Sequence, residues 1–387
     1  MGLRRDRSQA DGKSKLLSPK KVRHILEHQM NRRQLLKLIF LAGAGLAALK
    51  SAPAQTIIEN PATPLAKNAG RVLKLREVWR ITDEGGAFYF KSPHNLQITE
   101  DGSIFIADRE QLLRFDKDGK FLINFFKKGQ GPGEISDAFT FLIDKNELYV
   151  KDYRQMRIFR MNSEGRNIDQ LSLEIGSLNL FGVRSDSYVM MKPVWPSREE
   201  QTGKLLPLLD KIKIVSKDGK SEKDLYDFRT RWFMTPHAST QWDPDIAVMS
   251  DDGRYLYACH STEYLIEVLD LGTGRIVKSF RRSYPRIKHI AGKREEEFRK
   301  TYGSSEKVYE WDVFDLFVNQ NKLWVETSTK DSAKGVLFDV FDENGRFVDN
   351  FYVGAGRSLL KVQGDVIFVL EKAEDESLRI VKYKIVE

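Results

Sequence analysis

The residues able to do chemistry are few and scattered. Past residue 55 there are four histidines, His94, His237, His260 and His289, and a single cysteine, Cys259. Three imidazoles, His94, His237 and His260, would suit a zinc ion with one open position. They lack the short spacing of a ligand motif, so no cofactor is expected, with zinc or calcium as the alternative reading. Asp108 and Asp152 stand in similar surroundings, IAD-Arg and VKD-Tyr-Arg. A carboxylate there is an acid, a metal ligand, or an acceptor for backbone N–H groups in a turn. Its repetition at matching places favours the turn. Cys259 ends the run YLYAC and is expected as a small buried apolar residue.

A second group mixes aromatic and cationic residues: Arg154, Trp195, Arg229, Arg231, Trp232, His237, Trp242 and His260. Aromatic faces stack on sugars and peptides, and guanidinium groups pair with carboxylates. The stretch Phe228–Trp242 is therefore the leading binding candidate, against the plainer reading of a loop packing its own aromatics. Gly129–Glu134, GQGPGE, invites a phosphate-loop reading, but no Lys-Ser/Thr follows and no helix begins there. A tight crossover, with glycine freedom and proline rigidity, explains it better. Neither a Gly-x-Ser-x-Gly elbow nor an HExxH motif occurs.

The elements that must position these residues announce themselves through turns. One series comprises Asp101-Gly102, Lys145-Asn146, Ser185-Asp186, Asp252-Gly253, Gln320-Asn321 and Gln363-Gly364. Each lies between two short apolar strands, the second reading IFIAD, LYVKD, YVMMK, YLYAC, LWVET or VIFVL. The other series comprises Asp118-Gly119, Glu164-Gly165, Asp218-Gly219, Thr273-Gly274 and Asn344-Gly345. Such pairs accept the positive φ of tight hairpins. The series alternate, so one joins strands a and b and the other joins c and d. Four antiparallel strands repeated radially form a β-propeller blade, and six turns of the first series predict six blades. The last blade runs out of chain after its third strand. An orphan strand at 72–81, VLKLREVWRI, is expected to close it, because an open ring leaves two bare sheet edges.

The unit IFIAD…LLRFDKDGKFLINF followed by GQGPGE resembles NHL-type repeats of six-bladed, TolB-like propellers, including exported bacterial members with a Gly-x-Gly-Pro-Gly-Glu exit. The resemblance covers most of residues 71–387 and implies an all-β propeller. Such propellers include lyases, lactonases, carbohydrate-active proteins and binding scaffolds, so fold alone does not choose among them.

Long connections fall between strands b and c and between blades: Lys192–Lys204, Asp227–Pro244, Ser283–Asp312 and Gly85–His94. All belong to one face, the b–c/d–a face at the channel mouth. The EEEFRK portion of Ser283–Asp312 should be a helix. Long loops on one face of a rigid scaffold are where function concentrates. The expected function is a binding or scaffold module holding carbohydrate, peptide or protein on that face. The alternatives are a lyase or hydrolase with His and Asp at the channel mouth, and a subunit of a cell-envelope complex docking through the helix.

Residues 1–54 form a basic leader. Arg32-Arg33 and Lys37 resemble a twin-arginine export signal, followed by an apolar stretch at 35–49 and Ala-Pro-Ala before Gln55. The apolar run is shorter than a spanning helix needs. The expected address is periplasmic or extracellular, the alternative being an uncleaved leader anchoring the protein to the inner membrane. Residues 55–70, rich in Pro, Ala and Asn, are expected as a poorly ordered linker. The formal charge of +8 belongs to the leader, which has twelve Lys/Arg against three acids. The remainder has 51 basic and 52 acidic residues. A near-neutral folded part gives no support to a nucleic-acid partner.

Overall fold

The computed structural model describes residues 56–386 apart from 84–85, 174–178, 201–203, 235–238 and 303–306. The leader, with Arg32, Arg33 and Lys37, lies outside the described residues, as does His237. Among the described residues, no helix is long and apolar enough to cross a membrane.

Six antiparallel sheets form the blades of a six-bladed β-propeller. Their inner strands are Pro93–Ile98, Phe139–Asp144, Asn179–Val183, Asp245–Met249, Val313–Asn319 and Arg357–Gln363. Both turn series fall where expected. Gly102, Gly253 and Gly364 hold positive φ in the a–b turns, as do Lys145 and Asn321. Gly119, Gly165, Gly219, Gly274 and Gly345 hold it in the c–d turns. Each strand b is apolar on both faces because a neighbouring blade covers each one. Ile104–Asp108 is buried throughout, and so are five of the six residues of Glu147–Asp152. Phe105, Phe141 and Phe159 fill the joint between blades one and two. Phe317, Phe338 and Val369 fill that between five and six.

Three strands precede blade one: β1 (Ile57–Asn60), β2 (Arg71–Val72) and β3 (Leu75–Ile81). β3 closes blade six, pairing antiparallel with Leu378–Ile385 so that Ile81 faces Ile380. The expected closing strand is therefore shorter than 72–81, because Arg71 and Val72 pair elsewhere.

The expectation of a poorly ordered linker is overturned. β1 adds in parallel to the outer strand of blade four, and β2 to that of blade five. Between them, Ala66 and Gly70 donate backbone hydrogen bonds to Val348 and Asn350 carbonyls at 3.0 Å. Asn60 locks the start: its Nδ2 donates to the Gly345 carbonyl at 2.9 Å, and its Oδ1 accepts from Phe347 N at 2.8 Å. Arg71 pairs with both oxygens of Asp349 at 2.8 and 2.9 Å. Residues 56–81 thus form a strap across three blades, occupying sheet edges that would otherwise stay bare.

The expected loop Asp227–Pro244 is largely strand, while Lys192–Lys204 remains a connection after Val194, with a 3-10 turn at Arg198–Glu200. In blade three, b, c and d run Ser187–Val194, Lys204–Ser216 and Glu222–Met234, and Ser239–Asp243 adds a fifth strand. They extend beyond the ring as an arm on the b–c/d–a face. The helix expected in Ser283–Asp312 is present as α1 (Lys293–Tyr302). His289 pins it, its Nδ1 against Glu310 at 2.8 Å and its Nε2 against Glu295 at 2.8 Å.

Candidate functional site

Three places could hold a ligand: the arm, the joint between blades three and four, and the central channel.

The arm unites two of the sequence-predicted residues. Trp195 and Trp232 meet edge-on with centroids 5.2 Å apart. Val194 pairs across the strands with Leu209, so both project from the same face. Val194, Trp195 and Leu209 are 44%, 41% and 37% exposed, Val194 and Leu209 on the hydrogen-bonded ribbon and Trp195 directly after the end of its strand. Arg229, Arg231 and Trp242 have their backbones in this sheet, and their side chains lie outside the described residues.

Beneath the arm, His260 packs edge-on to Phe228 with ring centroids 5.7 Å apart. His260 pairs across the strands with Asp245, which faces Asp210 of blade three. Asp210 is fully buried, and Thr230 is 1% exposed. Burial, then the neighbouring Asp245 carboxylate, pushes the Asp210 carboxyl up to about 7, while Thr230 draws it down. Neither Asp210 oxygen meets a donor in good geometry. Two adjacent carboxyl groups in a dry joint favour sharing one proton over ionising together.

Asp108 and Asp152 do turn work. Asp108 accepts from the backbone N–H groups of Lys91 and Ser92 at 2.7 and 2.8 Å. Asp152 accepts from Ser136 N, Ser136 Oγ, Arg154 N and Gln155 N. Both are fully buried. GQGPGE folds around its own acid, with Gly131 N donating to Glu134 Oε2 at 2.7 Å. A Cβ at Gly129 would lie 1.9 Å from that carboxylate, so a larger residue there would displace the Glu134 side chain from its place in the loop. Arg154 pairs with Asp137 beside this loop, at a cleft of about 360 Å³. Burial pushes the Cys259 thiol far up, which leaves it inert.

The three-histidine arrangement does not form from its described members. His94 belongs to the inner strand of blade one and lines the channel, its Nδ1 2.9 Å from the Ser92 carbonyl. His260 sits in the joint of blade four, on the opposite side of the ring. Among the described residues, no group of three or more His, Cys, Asp or Glu is placed to hold a metal ion.

The channel is a cavity of about 1170 Å³. The inner strands and a–b turns line it, and of the sequence-predicted residues only His94 does so. Its walls are layered. One layer consists of Gln97, Leu142, Val183, Val248, Phe317 and Lys361, one residue per blade. Each pairs with an aromatic residue of strand b: Phe105, Tyr149, Tyr188, Tyr257, Trp324 and Phe368. Towards the b–c face the wall carries Thr140 and Asp315, two residues further along, and His94 and Leu180, three residues along past a bulge. Burial pushes the Asp315 carboxyl up to about 6, against a hydrogen bond from Leu316 N. Burial lowers Lys361, partly opposed by Asp251. Among the described residues, the Lys361 ammonium forms no ion pair or hydrogen bond.

These features define the class, a six-bladed β-propeller with an open channel and a projecting arm. A family profile described as 6-bladed beta-propeller, DUF5128, matches residues 85–231, which span blades one to three. No curated protein matches. Among solved structures, the chain is similar to a Bacteroides fragilis protein described as exported, at 14% identity and a TM-score of 0.52. That alignment covers 86% of this chain and all of the other. A DUF4221 member from Bacteroides vulgatus aligns at 11% identity and a TM-score of 0.53, over 81% and 98% of the two chains. At such identities the likeness concerns the fold.

Proposed function

We propose that this chain is an exported binding module of the NHL-like, TolB-like kind, which takes a partner protein on its b–c/d–a face through the blade-three arm. The observation that carries this reading is the exposed pair Val194 and Leu209 on the rigid ribbon, with exposed Trp195 directly after the strand end and packed against Trp232. The paired strands hold Val194 and Leu209 out, and the contact with Trp232 on strand d holds Trp195 beside them. Two residues further along, Lys192 faces Lys211, which in turn faces Asp227, and the three supply a charged rim. An apolar centre with aromatic residues and a charged border is how protein interfaces are built. The twin-arginine-like leader supports export to the periplasm or beyond.

A photo-crosslinking residue placed at Trp195 in the producing cell tests this, with exposed Val277 on blade four as control. A discrete adduct from position 195 and none from 277 is expected. No adduct at 195, or the same adduct at both, overturns the reading.

One observation favours the envelope-subunit reading as a second interface. Ile290 and Val308, which flank α1, are 87% and 60% exposed. A backbone bond from His289 N to the Val308 carbonyl holds the two segments side by side. A crosslinker at Ile290 that captures a different adduct from that at Trp195 would support it.

A further inference from the structure

The channel wall carries a pattern that the arm does not explain. In the layer marked by the aromatic row of strand b, blades two to five supply Leu142, Val183, Val248 and Phe317. Blades six and one, which are neighbours, supply Lys361 and Gln97. The belt is thus apolar over four blades and polar over two. Lys361 is half-buried on the channel wall and feels the Asp251 carboxylate, but its ammonium makes no direct hydrogen bond or ion pair among the described residues, which leaves it able to take an anion. Gln97 adds an amide whose Nε2 already donates to Asn95 Oδ1 at 3.0 Å, leaving its second N–H available.

The next layer supplies the opposite charge. Asp315 of blade five sits two residues along from Phe317, about 7 Å by strand geometry. It accepts from its neighbour Leu316 N and forms no ion pair among the described residues. The acid is therefore one blade and one layer away from the base. Arg254 is held by Asp270, and Arg184 by the Leu271 carbonyl. Those cations belong to the turn rim, as do Asp144, Asp251 and Asp252, with Asp251 acting on Lys361 from that side; Asp315 lies deeper, facing Glu326 across the strands.

A ligand matching this wall has separated opposite charges and an apolar body. Free α-amino acids hold their charges too close together. Two or three extended residues span roughly 7–10 Å between termini. The cavity exceeds what such a molecule needs.

We infer that the central channel is a binding site for short peptides with free termini and apolar side chains. The C-terminal carboxylate meets Lys361 and Gln97, the N-terminal ammonium meets Asp315, and the side chains lie against Leu142, Val183, Val248 and Phe317. This site is separate from the arm and does not depend on it.

Calorimetric titration of the full chain with the dipeptide Leu-Leu tests the inference, with N-acetyl-Leu-Leu-amide and free leucine as comparisons. Saturable binding of Leu-Leu is expected, with both comparisons at least tenfold weaker. Lys361→Met and Asp315→Asn should each weaken Leu-Leu by tenfold or more. Val248→Phe, which fills the belt without altering charge, should abolish binding. Trp195→Ala should leave it unchanged. Circular dichroism melts confirm that each variant is folded. No saturable binding by 10-fold millimolar excess, equal binding of the blocked peptide, or unchanged affinity in folded Lys361→Met overturns the assignment. Leucine binding as tightly as Leu-Leu overturns the peptide length, and loss in Trp195→Ala moves the site to the arm.

Discussion

Asp245 and His260 face each other across the inner two strands of blade four, at the register position that Pro93 and Asp108 fill in blade one and Phe139 and Asp152 in blade two. In blades one and two the strand-b carboxylate caps the segment entering the blade. In blade four the acid has moved to strand a and an imidazole stands in its place. The same backbone position thus serves as a structural cap in two blades and as part of a buried titratable group in a third.

The capping role predicts a stability effect. Asp152→Ala removes the acceptor for Ser136 N, Ser136 Oγ, Arg154 N and Gln155 N inside a dry joint. A loss of about 3 kcal/mol in denaturant unfolding is expected, since buried donors left unsatisfied each carry a desolvation cost. Arg154, exposed and paired with Asp137, should cost less than about 1 kcal/mol when changed to Ala. Equal costs for the two would contradict the assignment of Asp152 as a cap.

The Asp210–Asp245 pair predicts a pH dependence of definite sign. The Asp210 carboxyl is raised to about 7 from 3.8. The unfolded chain then gives up that proton at a lower pH than the folded chain. Stability is greatest below about pH 4 for this group and falls as pH rises through 7. Asp210→Asn removes the falling contribution. Its melting temperature relative to the wild type should be higher at pH 8 than at pH 5. A difference that is the same at both pH values would show that Asp210 ionises normally.

The strap predicts that residues outside the blade count hold the ring together. Asn60→Ala should lower stability by about 2 kcal/mol, through loss of its bonds to Gly345 and Phe347. Removing residues 56–72 while keeping β3 should leave a closed ring with a lower melting temperature. Unchanged melting after that deletion would mean that β1 and β2 contribute nothing.

Six blades and the closing strand were legible because Asp/Asn-Gly turns carry local chemistry that survives without context. The strap was not legible: IIEN and Arg71-Val72 become strands only because blades four and five offer free edges. The arm had a signal that length obscured. Asp227, Arg229 and Arg231 alternate with Phe228, Thr230 and Trp232, a period of two proper to a strand. The channel layers needed register across all six blades, since Gln97 and Lys361 lie far apart in sequence. The aromatic of each strand b, second in IFIAD, LYVKD and LWVET, first in YVMMK and third in YLYAC and VIFVL, was the available marker.

The leader makes its own prediction. Changing Arg32 and Arg33 together to Lys should abolish export of a reporter fused after residue 55, because the twin-arginine route discriminates the guanidinium pair from ammonium groups of equal charge. Undiminished export would assign the leader to a different route.

Gly345 tests how turn chemistry and packing combine at one position. It holds φ of 76° in the c–d turn of blade five, and a Cβ there would lie 2.7 Å from Phe280 Cδ1. Gly356 holds φ of 74° in a turn with nothing within 4 Å of its would-be Cβ. Gly356→Ala should therefore cost only the backbone strain, about 1–2 kcal/mol. Gly345→Ala should cost that plus the displacement of Phe280, which packs on Phe341 with centroids 5.0 Å apart in the joint between blades four and five. A total of about 3–4 kcal/mol is expected from denaturant unfolding. Asn60 donates to the carbonyl of the same glycine, so Asn60→Ala combined with Gly345→Ala should cost less than the two changes separately, the strap bond being already weakened by the shifted turn. Full additivity in that double variant would mean that the turn absorbs the new methyl group without moving its carbonyl.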